Sequence, residues 1–296
     1  MQYHDIGEKS LVSSICFGCE ALGGIDWGTF NLKEIENAIE KSIDLGLNFF
    51  DTADIYGLGL SEKRLSRILG SRRHDKFIAT KGGVSWSNQS GSRAKTALNS
   101  DPEYIKEAIE QSLKRLKLDS LDLYYIHWPD KSTAISETFS LLQKLKDDGK
   151  IRHIGCSNFD EIQILEASKF SEVSFAQMPI NLIHSPPNLK LLKTCKRLGI
   201  NVVAYNVLAS GLLTGKFNSN STFSKNDRRT RTQLYKGQLF KEKLKEIETI
   251  ELKAAQYNKT LTQYSINWVL ENKLISFAIT GIKNTEQAIE NLSAIN

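Results

Sequence analysis

The stretch Leu45-Gly46-Leu47-Asn48-Phe49-Phe50-Asp51-Thr52-Ala53-Asp54-Ile55-Tyr56-Gly57 decides the fold. A short apolar run ends on a carboxylate, and a phenol follows five residues later. In a parallel α/β protein, side chains beyond the carboxyl end of a strand face an open crevice, so a strand that delivers an acid and then a tyrosine presents chemistry there. The unit recurs along the chain. Apolar segments at 15–18, 48–51, 77–80, 121–127, 153–157, 175–177, 201–205 and 277–281 read as strands. Amphipathic segments at 33–45, 61–69, 102–116, 134–148, 160–169, 188–198 and 264–271 read as helices, and another begins after 281. Eight strands each followed by a helix predict an α/β fold, a single (β/α)8 TIM barrel spanning 1–296.

Local signals support the boundaries. Asp101 before Pro102 is a helix N-cap followed by proline at the first helical position, and Gly149 after Lys146-Asp147-Asp148 reads as a helix stop. The alternation runs through the middle of the chain without a composition break, which disfavours two doubly wound domains. Two connections are unusually long: 82–100 after the third strand, rich in Gly, Ser and Asn, and 215–237 after the seventh, carrying Arg228, Arg229 and Arg231. Long loops in a compact domain are usually functional, and both lie on the carboxyl face of the barrel.

Composition excludes several classes. Hydrophobic residues make up 40% and charged residues 25% of the chain, ordinary for a soluble globular protein. The net charge of +5 is small and dispersed, which gives no nucleic-acid surface but suits an anionic cofactor. The N-terminus lacks a signal-peptide pattern and no apolar run reaches the length of a membrane span, so a cytoplasmic location without membrane partners is expected. Cys16 and Cys19 form a C-x-x-C, but in a strand residues three apart point to opposite faces, and no second pair completes a metal site. Structural thiols are expected.

Asp51, Lys81 and His127 end the second, third and fourth strands, with Tyr56 one loop away. Neighbouring barrel strands bring their carboxyl ends within side-chain reach, so the four residues can form one cluster. An ammonium beside a phenol lowers the phenol's pKa, and a carboxylate holds the ammonium in place. Tyr56 is then a general acid, Lys81 and Asp51 tune it, and His127 hydrogen-bonds a carbonyl oxygen. Taken singly, each has a plainer reading as a packed histidine, a solvated lysine or a helix cap; their shared end of consecutive strands favours function.

The later strands indicate what the acid acts with. Ser157-Asn158, Gln177 and Tyr205 stand at the ends of strands five to seven. Converging Ser, Asn and Gln side chains can bind a carboxamide, and a tyrosine face can stack on a flat heterocycle such as nicotinamide. After strand eight, Gly281-Ile282-Lys283 leads into a helix carrying Gln287, Glu290 and Asn291. Backbone amides at that helix start and Lys283 suit a phosphate, including a 2′-phosphate, and the polar residues suit an adenine edge. A Rossmann fingerprint is missing: in Gly57-Leu58-Gly59-Leu60-Ser61-Glu62 an acid replaces the third glycine.

Taken together, Asp51-Thr52-Ala53-Asp54-Ile55-Tyr56-Gly57, Thr80-Lys81, Tyr125-Ile126-His127-Trp128-Pro129, Ile154-Gly155-Cys156-Ser157-Asn158, Gln177, Tyr205 and Gly211-Leu212-Leu213-Thr214-Gly215-Lys216 resemble an aldo-keto reductase, in order and over nearly the whole chain. The resemblance implies a barrel that binds NADP(H) in extended form and reduces aldehydes or ketones without metal. It implies Tyr56 as acid, Lys81 and Asp51 as its tuning pair, and His127 as the carbonyl-orienting residue. It implies Ser157, Asn158 and Gln177 at the carboxamide, with Tyr205 stacked on the ring. Asn206, Leu208, Gly211, Leu213 and Lys216 fall on the pyrophosphate side, and Lys283, Gln287 and Asn291 at the adenosine end. Segment 215–237 resembles the family's cofactor-covering loop. Asn206 departs from the usual serine, Val207-Leu208 from the usual Pro-Leu, and Cys19-Glu20 is unusual after the first strand.

Trp27, Trp86 and Trp128 leave strands one, three and four and, with Glu20, are the candidate substrate residues. Aromatic walls with a few polar groups suit a substrate larger than a short aldehyde, such as a sugar or an aromatic ketone, and a Glu20 carboxylate would favour a hydroxyl-bearing or cationic compound. Trp268, at helical spacing with Tyr264, is expected in the core. Two other functions fit part of the pattern. Lys81 could form a Schiff base in an aldolase, although a neighbouring carboxylate keeps the amine protonated. A non-catalytic NADPH-binding regulatory subunit would keep the same residues.

Overall fold

The computed structural model describes residues 1–7, 11–28, 30–87, 94–184 and 188–295. Eight parallel strands close into a barrel: β1 (Ile15–Gly18), β2 (Phe49–Asp51), β3 (Phe77–Gly82), β4 (Leu121–Ile126), β5 (Ile151–Ser157), β6 (Val173–Pro179), β7 (Asn201–Tyr205) and β8 (Phe277–Gly281). They follow one another around the barrel in chain order, and β8 pairs with β1 to close it. The (β/α)8 expectation is met.

Residues along each strand alternate between two cores, as a pleated strand with both faces covered must. Cys16, Phe49, Ala79, Leu123, Tyr125, Phe175, Val203 and Phe277 fill the barrel interior. Ile15, Phe17, Phe50, Ile78, Tyr124, Ile126 and Val202 point outward into the layer beneath the helices. Cys16, within β1, lies in the inner core, and Cys19, in the turn just beyond it, lies in the outer one; both are buried free thiols.

The outer helices are α1 (Leu32–Asp44), α2 (Leu60–Leu69), α3 (Pro102–Leu116), α4 (Ile135–Asp147), α5 (Glu161–Ala167), α6 (Leu189–Arg197), α7 (Gly237–Gln256), α8 (Leu261–Leu270) and α9 (Thr285–Leu292). Asp101 caps α3 by accepting from the Glu103 and Tyr104 amides, as its position before Pro102 predicts. Helix α8 begins three residues before the expected 264, because Thr260 and Gln263 form a capping box. Trp268, on this helix, packs against the outer core as expected.

Three elements go beyond the sequence reading. A hairpin of Tyr3–Asp5 with Leu11–Ser13 precedes the barrel and sends Val12 into its inner core. Within 82–100, Val84–Trp86 pairs antiparallel with Thr96–Leu98, so part of this connection is a hairpin; 88–93 lies outside the described residues. The 20-residue helix α7 follows 215–237 and buries Phe240, Ile247, Ile250 and Ala254 against a third apolar cluster. Among the described residues no helix is long and apolar enough to cross a membrane.

Candidate active site

Strand alternation builds the site. Two residues beyond the inward-facing Phe49, Ala79, Tyr125, Phe175 and Val203 stand Asp51, Lys81, His127, Gln177 and Tyr205, and two beyond Gly155 stands Ser157. Each therefore points to the barrel axis at its carboxyl rim. Gly155 is needed at its position because a Cβ there would run into the Tyr125 ring. Tyr56 comes from the β2–α2 loop, which packs backbone to backbone on the loop after β1: a Cβ on Gly23 would stand 2.7 Å from the Gly57 nitrogen.

Lys81 has no solvent exposure. It ion-pairs with Asp51 and donates to the Thr52 carbonyl at 2.8 Å. Gln177 Nε2 donates to the second Asp51 oxygen at 2.8 Å. The Lys81 ammonium lies 5.3 Å from the centre of the Tyr56 ring, and His127 meets that ring edge-on at 5.9 Å. The four expected residues thus form one cluster. His127 is the first residue after β4 rather than its last.

Next to this cluster, Tyr205 donates to Asn158 Oδ1 at 2.7 Å, and Asn158 Nδ2 donates to the His127 carbonyl at 3.0 Å and reaches Ser157 Oγ at 3.1 Å. Asp51, Tyr56, His127, Ser157, Asn158, Gln177 and Tyr205 line one cavity of about 1000 Å³, which Lys81 does not reach. Its far end is lined by Asn206, Leu208, Gly211, Lys216, Gly281, Lys283, Gln287, Glu290 and Asn291.

The loop after β7 spans the mouth as a strap. Arg228 pairs with Glu20 at 2.8 Å and Arg231 with Asp26 at 2.7 Å, while the Arg228 amide donates to the Asp26 carbonyl at 2.8 Å. Arg229 is locked by Asp227 at 2.5 Å and lies over the Phe217 and Phe223 rings. Lys283 donates to the Trp27 carbonyl.

The model of the aldo/keto reductase family matches residues 14–296. The chain belongs to the aldo/keto reductase family. It is 32% identical to the aldo-keto reductase YhdN of Bacillus subtilis, over 100% of this chain and 88% of that protein. It is also 32% identical to the aldo-keto reductase yakc [NADP(+)] of Schizosaccharomyces pombe, over 97% and 85%. Among solved structures, a glycerol dehydrogenase of Gluconobacter oxydans superposes with a TM-score of 0.91 at 31% identity, covering 99% of this chain and 90% of that one. Aldo/keto reductases are oxidoreductases that use nicotinamide cofactors.

Electrostatics correct one expectation for this aldo/keto reductase. The Tyr56 phenol is not lowered by Lys81. Burial pushes it well above its ordinary value, Glu20 and Asp51 push the same way, and Arg228 pulls against them. The physical reason is first of all burial, which disfavours the charged phenolate, and Lys81, held in its ion pair with Asp51, does not offset it. Tyr56 is consequently a protonated donor at neutral pH. Burial, and next Lys81, hold the His127 imidazole well below its ordinary value, so it is neutral. Asp51 is raised by burial against the pull of Lys81.

Besides Lys81, which stands behind Asp51, two expected site residues do not line the cavity. Leu213 is fully buried in the third cluster, beside Leu212 and Leu234, where it anchors the strap rather than lining the pyrophosphate side. Trp86 is absent from the wall because its segment folds back as a hairpin, and Val84 with Ala94 and Thr96 of the returning stretch supply that wall. Trp27, Trp128 and Glu20 do line the cavity. Asn206 has a reason to replace the usual serine. It sits at φ 54°, a left-handed geometry that asparagine tolerates, and its Oδ1 accepts from the Ser210 amide at 2.7 Å. Sequence reading noted the arginines of 215–237 but gave them no role; their clustering in a long loop was the available signal.

Proposed function

We propose that the chain is an NADP(H)-dependent aldo-keto reductase, one barrel domain over 1–296, that reduces an aldehyde or ketone to an alcohol in the cytoplasm. The observation that carries this reading is the sharing of one cavity: the proton donor Tyr56 and neutral His127 face the same space as the Ser157, Asn158 and Gln177 set. That set fits a carboxamide. With Nε2 committed to Asp51, Gln177 retains a carbonyl acceptor, Asn158 Oδ1 retains a lone pair, and the Ser157 hydroxyl can donate. At the other end Lys216, Arg229 and Lys283 bring three cations to the wall, a donor set for a pyrophosphate and a 2′-phosphate. The NADP(+) in the name of the Schizosaccharomyces pombe relative agrees with that choice.

When bound, the reduced nicotinamide supplies a hydride to the carbonyl carbon. Tyr56 gives its proton to the oxygen as negative charge develops there. His127 orients that oxygen, and the Lys81–Asp51 pair behind Tyr56 fixes the ring and supplies a rigid polar backing. Lys81 itself does not line the cavity and is bonded to Asp51 and Thr52, which argues against a Schiff-base aldolase. NADPH oxidation with a broad panel of aldehydes and ketones tests the reading. Turnover with some of them supports it; tight NADPH binding with no turnover of any would point to the regulatory, non-catalytic alternative.

A further inference from the structure

The Glu20–Arg228 pair has no part in the mechanism above, yet it lines the same cavity as Tyr56. Glu20 comes from the turn after β1 (Cys19–Gly23), and Arg228 from the strap turn Arg228–Arg231. Both line the cavity with Tyr56, His127 and Trp128. Glu20 Oε1 accepts from Arg228 Nη1 at 2.8 Å. The Arg228 guanidinium lies 5.2 Å from the centre of the Trp27 ring. After burial, Glu20 is the strongest influence on the Tyr56 phenol, and Arg228 opposes it, so both charges act on the position where the carbonyl oxygen would be protonated.

We infer that Glu20 and Arg228 together select hydroxyl-bearing aldehydes and ketones over their deoxy and anionic counterparts. The inference rests on the reductase reading given above and names the substrate class of that site. A carboxylate only accepts hydrogen bonds and a guanidinium only donates them, whereas a hydroxyl does both. A substrate hydroxyl can therefore donate to Glu20 and accept from a remaining Arg228 N–H, bridging the pair without breaking it. An alkyl group at the same place would strip water from two charges and return nothing. A substrate carboxylate would be drawn to Arg228 but pressed against Glu20, and an ammonium would meet the opposite conflict. The Arg228 and Glu20 side chains keep 44% and 32% of their exposure, so the discrimination is smaller than a sealed pocket gives.

The test compares kcat/KM for glyceraldehyde with that for propanal, in wild type and in Glu20→Leu, Glu20→Gln and Arg228→Leu, with the NADPH dissociation constant measured fluorimetrically for each. Comparing that ratio between variant and wild type cancels the hydration of the aldehydes. The glyceraldehyde-to-propanal ratio should fall about tenfold in Glu20→Leu and in Arg228→Leu, and by less in Glu20→Gln, which keeps an acceptor. A ratio unchanged in Glu20→Leu overturns the inference. So does an equal loss for both aldehydes with weakened NADPH binding, which would make the pair a fastening of the strap and nothing more. A wild-type protein that binds NADPH and reduces no carbonyl compound at all would overturn the reductase reading itself, and this inference with it.

Discussion

The rim at β2 to β4 and the strap after β7 line the same cavity but are held in place by different physics. Asp51, Lys81 and His127 hang from strand ends whose pleat dictates their direction, and the Lys81–Asp51 pair is deeply buried, only Asp51 facing the cavity. The strap has no such frame. Asn206, Ala209 and Ser210 all take positive φ, and the turn beyond reaches the β1 loop through ion pairs whose arginines, Arg228 and Arg231, keep 44% and 40% of their side-chain exposure. The contrast shows a division of labour. Chemistry is placed on the part that cannot shift, and the cover over the proposed cofactor cleft is fastened by bonds for which water competes.

The sharpest way to break this comparison is at the proton donor. Tyr56→Phe should lower kcat/KM for carbonyl reduction by about 10³-fold, within the range for losing a positioned general acid, while NADPH binding stays near wild type. A variant with ordinary turnover would remove Tyr56 from its role. Next comes the buried pair behind it. Lys81→Met leaves Asp51 buried without its counter-ion and should cost about 3–5 kcal/mol in chemical denaturation, whereas Asp51→Leu/Lys81→Met together should regain much of the stability but not the activity.

On the strap side the expected effects are smaller and depend on solution conditions. Burial, with Arg229 and Lys216 adding to it, brings Lys283 down to about 8. The charged form of a lysine is lost as pH rises through its pKa, so NADPH affinity should weaken above pH 8, and NADH affinity should weaken less. Lys283→Met should remove that difference and raise the NADPH dissociation constant about tenfold, the scale of one charge-assisted phosphate contact. Equal pH dependence for both cofactors would sever Lys283 from the 2′-phosphate. The weakest effect belongs to Arg231→Gln, which should speed NADPH release only about twofold, with high salt producing much the same in wild type, as for any exposed ion pair.

The barrel and most of the rim were legible in the sequence for one reason. Strand alternation and strand order are local properties that a chain declares in its apolar pattern, and a closed parallel barrel turns that order directly into space. Asp51, Lys81, His127, Gln177 and Tyr205 group together from the sequence because each lies within two residues of the carboxyl end of its strand. Local chemistry also showed the Asp101 cap and the separation of Cys16 from Cys19. Even the capping box of Thr260 and Gln263 was there to be read, and the long charged run of α7 as well.

What only the tertiary structure decided depends on distance between segments far apart in the chain. The sign of the Tyr56 shift turned first on how deeply the closed barrel buries the phenol, and then on Glu20, Asp51 and Arg228, charges that come from three separate segments. The pairing of Glu20 with Arg228 joins residues 208 positions apart, for which no local pattern exists. Leu213 and Trp86 look alike in sequence to residues that line a cavity, and packing alone sent one into the third core and the other off the wall. The sequence determined which side chains reach the rim, because the pleat repeats every two residues; charge, burial and the course of the long loops were settled only when the whole chain had closed around them.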